Sequence, residues 1–195
     1  MQSIVFNSDK FNRLQRIGVL GFENKTFAPF ADRSAGDVVS RQVYHELKSN
    51  KNYSNIIPPQ LMEDGRLKMI KSFGSIVDKK LSDSGETVPL VSSDKVDAVM
   101  VGAVSKYSDR YMDRYGKIQK SIASGLEFTA FLVDPLSREV LWGARFVGSQ
   151  RPGLQNFGQH GGRWLNKKDF TRSVMKFVLK EFRTRSNNIL EEPEQ

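Results

Sequence analysis

The chain reads as a single α/β domain, built on a mixed or largely antiparallel sheet that is centred on a long β-hairpin and flanked by helices. Three observations predict this. Residues 121–146, SIASGLEFTAFLVDPLSREVLWGARF, set two runs rich in β-branched and aromatic residues on either side of Asp134-Pro135-Leu136-Ser137, whose residue types belong to a tight turn. Both faces of those runs carry large apolar groups. Leu126, Phe128, Ala130 and Leu132 share one face of the first arm, opposite Glu127, Thr129, Phe131 and Val133; Val140, Trp142, Ala144 and Phe146 share one face of the return arm, opposite Leu141, Gly143, Arg145 and Val147. A ribbon with one face in water would alternate apolar with polar, so these arms belong at a sheet centre covered on at least one side. The third observation is that residues 34–50 and 167–185 carry apolar residues at helical spacing and supply the cover.

The 195 residues and an apolar share of 38% suffice for one core. The organisation expected is an N-terminal arm (1–13), one α/β domain (14–185) and a disordered acidic tail (186–195).

Taken in order, residues 1–13 are polar apart from Ile4-Val5-Phe6 and read as an arm or short edge strand. Residues 16–26, RIGVLGFENKT, open with the compact apolar run of a buried strand. Gly18 and Gly21 lack the Gly-Lys-Ser/Thr ending of a phosphate loop, so they read as a core strand with close backbone contact. Ser34 is placed to cap a helix running to about Asn50, with Ala35, Val38, Val39, Val43, Tyr44 and Leu47 on its apolar face. Residues 53–57 suit a short strand. Pro58-Pro59 then breaks the chain before a weaker helical stretch over 60–81, interrupted by Gly65 and Gly74, and a polar loop over 82–89. Residues 95–104 are the most apolar strand candidate and should lie beside the hairpin.

Residues 107–116 repeat Tyr-x-Asp-Arg between that strand and the hairpin. As a helix the segment would align its tyrosines; extended, it would project beyond the sheet. It is either a solvated, charge-balanced connection or a contact for a partner or glycan, with Tyr107, Arg110, Tyr111, Arg114 and Tyr115 as the contacting groups. After the hairpin, the Gly-rich residues 151–165 carry Phe157, Trp164 and Leu165, which need burial in a core pocket, another subunit or a lipid interface. Residues 167–185 read as a closing helix, with Phe170, Val174, Phe177 and Val178 on one face and Lys168, Arg172, Lys176 and Lys180 every four residues on another. Between Arg163 and Arg185 eight Lys and Arg stand against Asp169 and Glu181, so this segment holds +6 of the chain's +8. Its basic stripe is a solvated outer face or a contact for anionic lipid or acidic polymer. Nothing marks a nucleic-acid-binding motif, and nucleic acid is not an expected partner.

No catalytic constellation is legible. The absence of cysteine removes disulfides, thiol nucleophiles and thiolate metal sites. His45 and His160 are the only histidines and have no third spaced ligand, and no serine sits in a nucleophile elbow. Neither catalytic residues, a metal nor a cofactor is expected, and a binding or assembly protein is the default. No apolar run approaches the roughly 20 residues of a membrane span. Residues 1–10 lack the basic start and apolar core of a secretory signal, so the chain is either cytosolic or numbered from after a removed signal.

Three passages bear a resemblance. RIGVLGFENKT is similar to the opening strand of the CsgG, LpoB and TolB N-terminal-like domains of a bacterial envelope lipoprotein superfamily, in which a Val-rich strand ends in Phe-x-Asn-x-Thr; the helix over 34–50 follows at the matching place. Val140-Leu141-Trp142 and Gly161-Gly162-Arg163-Trp164-Leu165 resemble the small PelC-type lipoproteins of exopolysaccharide export. The resemblance spans residues 16–185. It implies a non-catalytic, exported domain, lipidated at an N-terminal cysteine and held at the outer membrane, often in rings. This sequence holds no such cysteine, so the anchor would lie in a segment preceding Met1. The PelC-type reading implies a periplasmic, outer-membrane-associated homo-oligomer that guides a polysaccharide to an export channel, with Trp164, Leu165 and Arg163 toward lipid. One departure stands out: an acidic funnel for a cationic polymer is expected of that group, whereas this chain is basic. Two other classes remain: a monomeric periplasmic module that activates a cell-wall synthase, as LpoB does, and an enzyme.

Overall fold

The computed structural model describes residues 2–62, 96–150 and 165–184. In chain order the elements are β1 (Gln2–Val5), α1 (Ser8–Arg13), β2 (Arg16–Val19), β3 (Glu23–Asn24), α2 (Ala35–Lys48), β4 (Asn55–Ile57), a 3-10 turn (Pro59–Met62), β5 (Ala98–Met112), β6 (Ile118–Val133), β7 (Val140–Ser149), α3 (Lys167–Val178) and α4 (Lys180–Thr184). The seven strands form one mixed sheet in the order β1-β7-β6-β5-β2-β4, with β3 also on the edge of β5. The β1, β7, β6 and β5 pairings are antiparallel, and β2, β3 and β4 join in parallel. This is the α/β domain built on a mixed sheet that the hairpin predicts.

At the hairpin turn Asp134 Oδ1 accepts the backbone N–H groups of Leu136 and Ser137 at 2.9 and 3.0 Å, and Arg138 takes a φ of 60° to bring the chain back. Along the arms Leu132 lies opposite Trp142 but Val133 lies opposite Val140, so Leu141 is an extra residue at a bulge. Because side chains alternate with a period of two, that one residue separates Val140 from Trp142. The single file of Val140, Trp142, Ala144 and Phe146 is therefore broken: Trp142, Leu141 and Ala144 pack in the main core, whereas Val140 packs with Val133 and Phe131 in a second cluster.

Helices α2 and α3 pack on the main-core side. Ala35, Val39, Val43 and Leu47 of α2 are buried, with Val38 and Tyr44 partly buried against them. Ser34 precedes the helix but makes no side-chain cap; its Oγ donates to Asp32 Oδ1 at 2.7 Å. The closing helix is two pieces. Asn166 caps α3 by accepting from Asp169 N at 2.9 Å, and the helix stops at Leu179 before α4. Phe177, expected on the buried face, is 54% exposed. Phe170, Thr171, Val174, Met175 and Val178 form the buried stripe, and Phe177 falls at its margin, beyond the arc those positions span.

The break after α3 turns Phe182 inward. Its ring meets Trp142 at 4.9 Å and Phe11 at 5.0 Å, both edge-on, and Tyr53 at 6.2 Å. Phe11 comes from α1, so residues read as an arm or edge strand supply both an edge strand and a core side chain. Lys10 of α1 reaches Glu139 at 2.7 Å and Asp134 at 3.3 Å, tying the helix to the hairpin turn. On the other side of the sheet Leu20, Met62, Val96, Val99, Val101 and Val133 form the second cluster. Gly18 lets Met62 approach so closely that a Cβ there would sit 2.6 Å from its methyl group. The expected helical stretch and loop over 60–89 fall beyond Met62 outside the described residues, as does the tail from 186.

Candidate functional site

The Phe-x-Asn-x-Thr passage folds back on itself. Asn24 Oδ1 accepts the backbone N–H and the hydroxyl of Thr26 at 3.0 and 2.7 Å, and Asn24 Nδ2 donates to the Asp32 carbonyl at 2.7 Å. Thr26 Oγ1 in turn accepts from Asp32 N at 3.0 Å. This closed loop holds the Asp32 carboxylate at the start of α2. One oxygen takes the Ser34 N–H and hydroxyl, and the other pairs with Lys167 at the start of α3. Lys167 Nζ also lies 4.8 Å from the ring centre of Tyr107, on β5. Partial burial works against the ionised Asp32, but hydrogen bonds from Lys167 and Ser34 outweigh it and hold the carboxyl below its ordinary range. Burial, with the charges of Asp32 and Asp109, pushes the Tyr107 phenol up to about 12. Asp32, Lys167 and Tyr107 thus lock two helix starts to one point on β5. Tyr107 is 3% exposed and offers no free ring.

Past that lock β5 leaves the body. The Tyr-x-Asp-Arg stretch takes the extended, projecting form: it continues β5 to Met112, paired with β6 as a two-stranded ribbon, and ends in the turn at the tip. The partner strand β7 ends at Ser149, opposite Gly125, while the β5–β6 ladder continues through Arg110↔Lys120, Tyr111↔Gln119 and Met112↔Ile118. At the tip Asp113 Oδ1 accepts from Tyr115 N and Lys117 N, both at 2.9 Å, and Gly116 adopts the left-handed φ of 76° that closes the turn. Tyr111, Met112, Tyr115 and Ile118 are all exposed, Tyr115 to 71%. Arg110, Arg114, Lys117 and Lys120 are exposed around them, and the Arg114 guanidinium lies 4.7 Å from the Tyr115 ring centre.

The remaining predicted residues are spread over other surfaces. Lys168, Arg172, Lys176 and Lys180 line the exposed side of α3 and its junction with α4, and Lys180 Nζ lies 5.7 Å from the Phe177 ring. Leu165 is partly buried against the main core; its N–H donates to Gln150 Oε1 at 3.0 Å and its carbonyl accepts from Ser124 Oγ at 3.1 Å. Arg163, Trp164 and His160 lie outside the described residues. His45 sits exposed on α2, 5.3 Å from the Tyr44 ring. Among the described residues no three His, Cys, Asp or Glu side chains gather to hold a metal, and no helix is long and apolar enough to cross a membrane.

No family model matches the chain, and no curated protein matches its sequence. Solved structures do match in shape. The PelC dodecamer from Paraburkholderia phytofirmans is 16% identical, over 93% of this chain and 96% of its own, with a TM-score of 0.52. A point variant of the same protein gives 14% identity and the same TM-score. The lipoprotein GNA1162 from Neisseria meningitidis is also 16% identical, over 89% of this chain, at a TM-score of 0.43. In fold, this chain is similar to PelC. The likeness extends over almost the whole of both chains and is one of fold.

Sequence reasoning missed Asp32 and Lys167. Asp32-x-Ser34 ahead of an amphipathic run is a capping signal that could have exposed the first. The second meets its partner across 135 residues, which no local pattern encodes.

Proposed function

We propose that this chain is a non-catalytic envelope subunit that assembles into a homo-oligomeric ring on the periplasmic side of the outer membrane and aids export of a polysaccharide or other secreted polymer. The observation that carries the reading is the near full-length fold similarity to PelC, which crystallised as a dodecamer. A channel or other envelope protein would be its partner, and a lipid anchor upstream of Met1 would hold it. Two features of this chain bear on the polymer. Its charge of +8 suits an anionic polymer, unlike the cationic polymer that an acidic funnel would guide. The stripe of Lys168, Arg172 and Lys176 on α3, with Lys180 at the start of α4, faces solvent, where a polymer could reach it. Arg163 and Trp164 would form the lipid contact at the foot of the ring, while Leu165, expected to share it, packs against the main core.

Native mass spectrometry tests the ring. The expected spectrum holds multiples of the 22.1 kDa protomer at micromolar concentration; a spectrum of protomer alone overturns the assembly. Binding of vesicles by the Trp164→Ala variant tests the foot: weakened binding with folding intact is expected, and unchanged binding contradicts that contact.

A further inference from the structure

The free end of the β5–β6 ribbon has an ordered polarity. Met112 and Ile118 lie directly opposite one another nearest the tip, 52% and 44% exposed, and Tyr115 crowns the turn. Two residues back toward the body, on the same face, Arg110 lies directly opposite Lys120. We propose that this tip is a contact for an anionic lipid surface, in which Met112, Ile118 and Tyr115 enter the interface while Arg110, Lys120, Arg114 and Lys117 meet the headgroup phosphates.

Four observations support this assignment. Like charges directly opposite in an antiparallel ladder repel, so Arg110 facing Lys120 is a local cost that an anion between them would relieve. Among the described residues neither side chain enters an ion pair. The ribbon's own acids offer little relief. Asp113 is engaged by the turn amides and Asp109 is half-buried near Tyr107, so the four Lys and Arg of residues 109–120 dominate its field. Large apolar side chains scattered singly on a surface are ordinary, but Tyr111, Met112, Tyr115 and Ile118 are concentrated on one protrusion. Finally, two residues of strand are roughly 7 Å long. That spacing between the apolar pair and the cationic pair fits the depth of about 5–10 Å to which apolar groups enter a membrane interface.

A convex tip matches a broad deformable surface, whereas a saccharide chain is held in a groove or on a platform. The contact differs from the one proposed for Trp164 and stands whether or not copies assemble.

Flotation of the full chain with phosphatidylcholine vesicles, with and without phosphatidylglycerol, tests it. Binding is expected only with phosphatidylglycerol and should weaken with salt. Arg110→Gln with Lys120→Gln should weaken it about tenfold or more, on the usual contribution of each cation near an anionic surface. Met112→Ser with Ile118→Ser should weaken it as well. All four positions are exposed, and circular dichroism melting should confirm unchanged folding. Arg172→Gln with Lys176→Gln on α3 should bind as the parent does. A Tyr115→Trp reporter should gain quenching by brominated lipid over the parent. The proposal is overturned if the ribbon variants bind like the parent while the α3 pair or Trp164→Ala loses binding. It is equally overturned if the chain binds alginate, a linear polyuronate, and no vesicle, or if the ribbon variants change only the oligomeric mass.

Discussion

The body of the sheet and the ribbon that leaves it are made from the same two strands, yet their residues answer to different constraints. Between Leu126 and Val133 β6 has β5 on one side, β7 on the other and a buried face of Leu126, Phe128, Ala130 and Leu132. From Ile118 to Lys120 it has β5 alone, and every side chain there is exposed. Burial makes a residue in the first region answerable to its neighbours. In the second, only strand preference and cross-strand pairs such as Met112 with Ile118 constrain the side chains, so residue type there is far less determined by the fold.

The sharpest break of that contrast comes from Phe182, where rings from α1, β4's approach and β7 converge. Phe182→Ala should lose about 3–5 kcal/mol in urea unfolding. Gly36→Ala should come next. A Cβ there would lie 2.2 Å from the Phe22 carbonyl oxygen, so α2 must back away from the link between β2 and β3 at a cost of about 1–3 kcal/mol. Asp32→Ala should cost about 1 kcal/mol, since it removes the acceptor of the Ser34 N–H and hydroxyl and the partner of Lys167.

The acids sharpen the same contrast through pH. Burial resists ionisation of Asp32, Asp97 and Asp134, but hydrogen bonds outweigh it and lower each pKa in the fold, chiefly from Lys167 to Asp32, from Arg16 to Asp97 and from the Ser137 and Leu136 amides to Asp134. Their contribution is complete above the unfolded value of about 4 and is lost as pH falls through the lower folded values. Unfolding free energy should therefore decline below about pH 4, and less steeply in Asp97→Asn. Tyr107 acts at the other end: with its pKa raised from 10.0 to about 12, stability should fall as pH rises across that interval, and Tyr107→Phe should flatten the fall. The smallest effect belongs to the ribbon. Tyr111→Ser with Tyr115→Ser should stay within about 0.5 kcal/mol of the parent in the same urea titration.

What was legible in the sequence follows from how local each cause is. The hairpin turn, the apolar faces of β6 and the buried stripe of α2 all arise from residues a few positions apart, and they stand where the pattern places them. The bulge at Leu141 does not, because alternation alone cannot say where an extra residue enters. The split between α3 and α4 was hidden for a similar reason: the apolar spacing runs on past Val178, and the contacts of Phe182 with Trp142 and Phe11 that go with the turn are distant in sequence. The Tyr-x-Asp-Arg segment looked like a connection since its polarity is that of a loop. Pairing with β6 supplies the backbone partners that its side chains do not advertise. Of the candidate contacts, the repeat led to the ribbon, while Tyr107 passed into the body through Lys167 and Asp32.

Hydrogen–deuterium exchange with and without anionic vesicles tests the division between body and ribbon most directly. Amides of Leu126–Val133 should exchange only through opening of the whole domain, unchanged by vesicles, while those of residues 110–120 should exchange rapidly in the free chain and slow on vesicles. Ribbon amides as protected as the body in the free chain, or unaffected by vesicles that bind the protein, would contradict it.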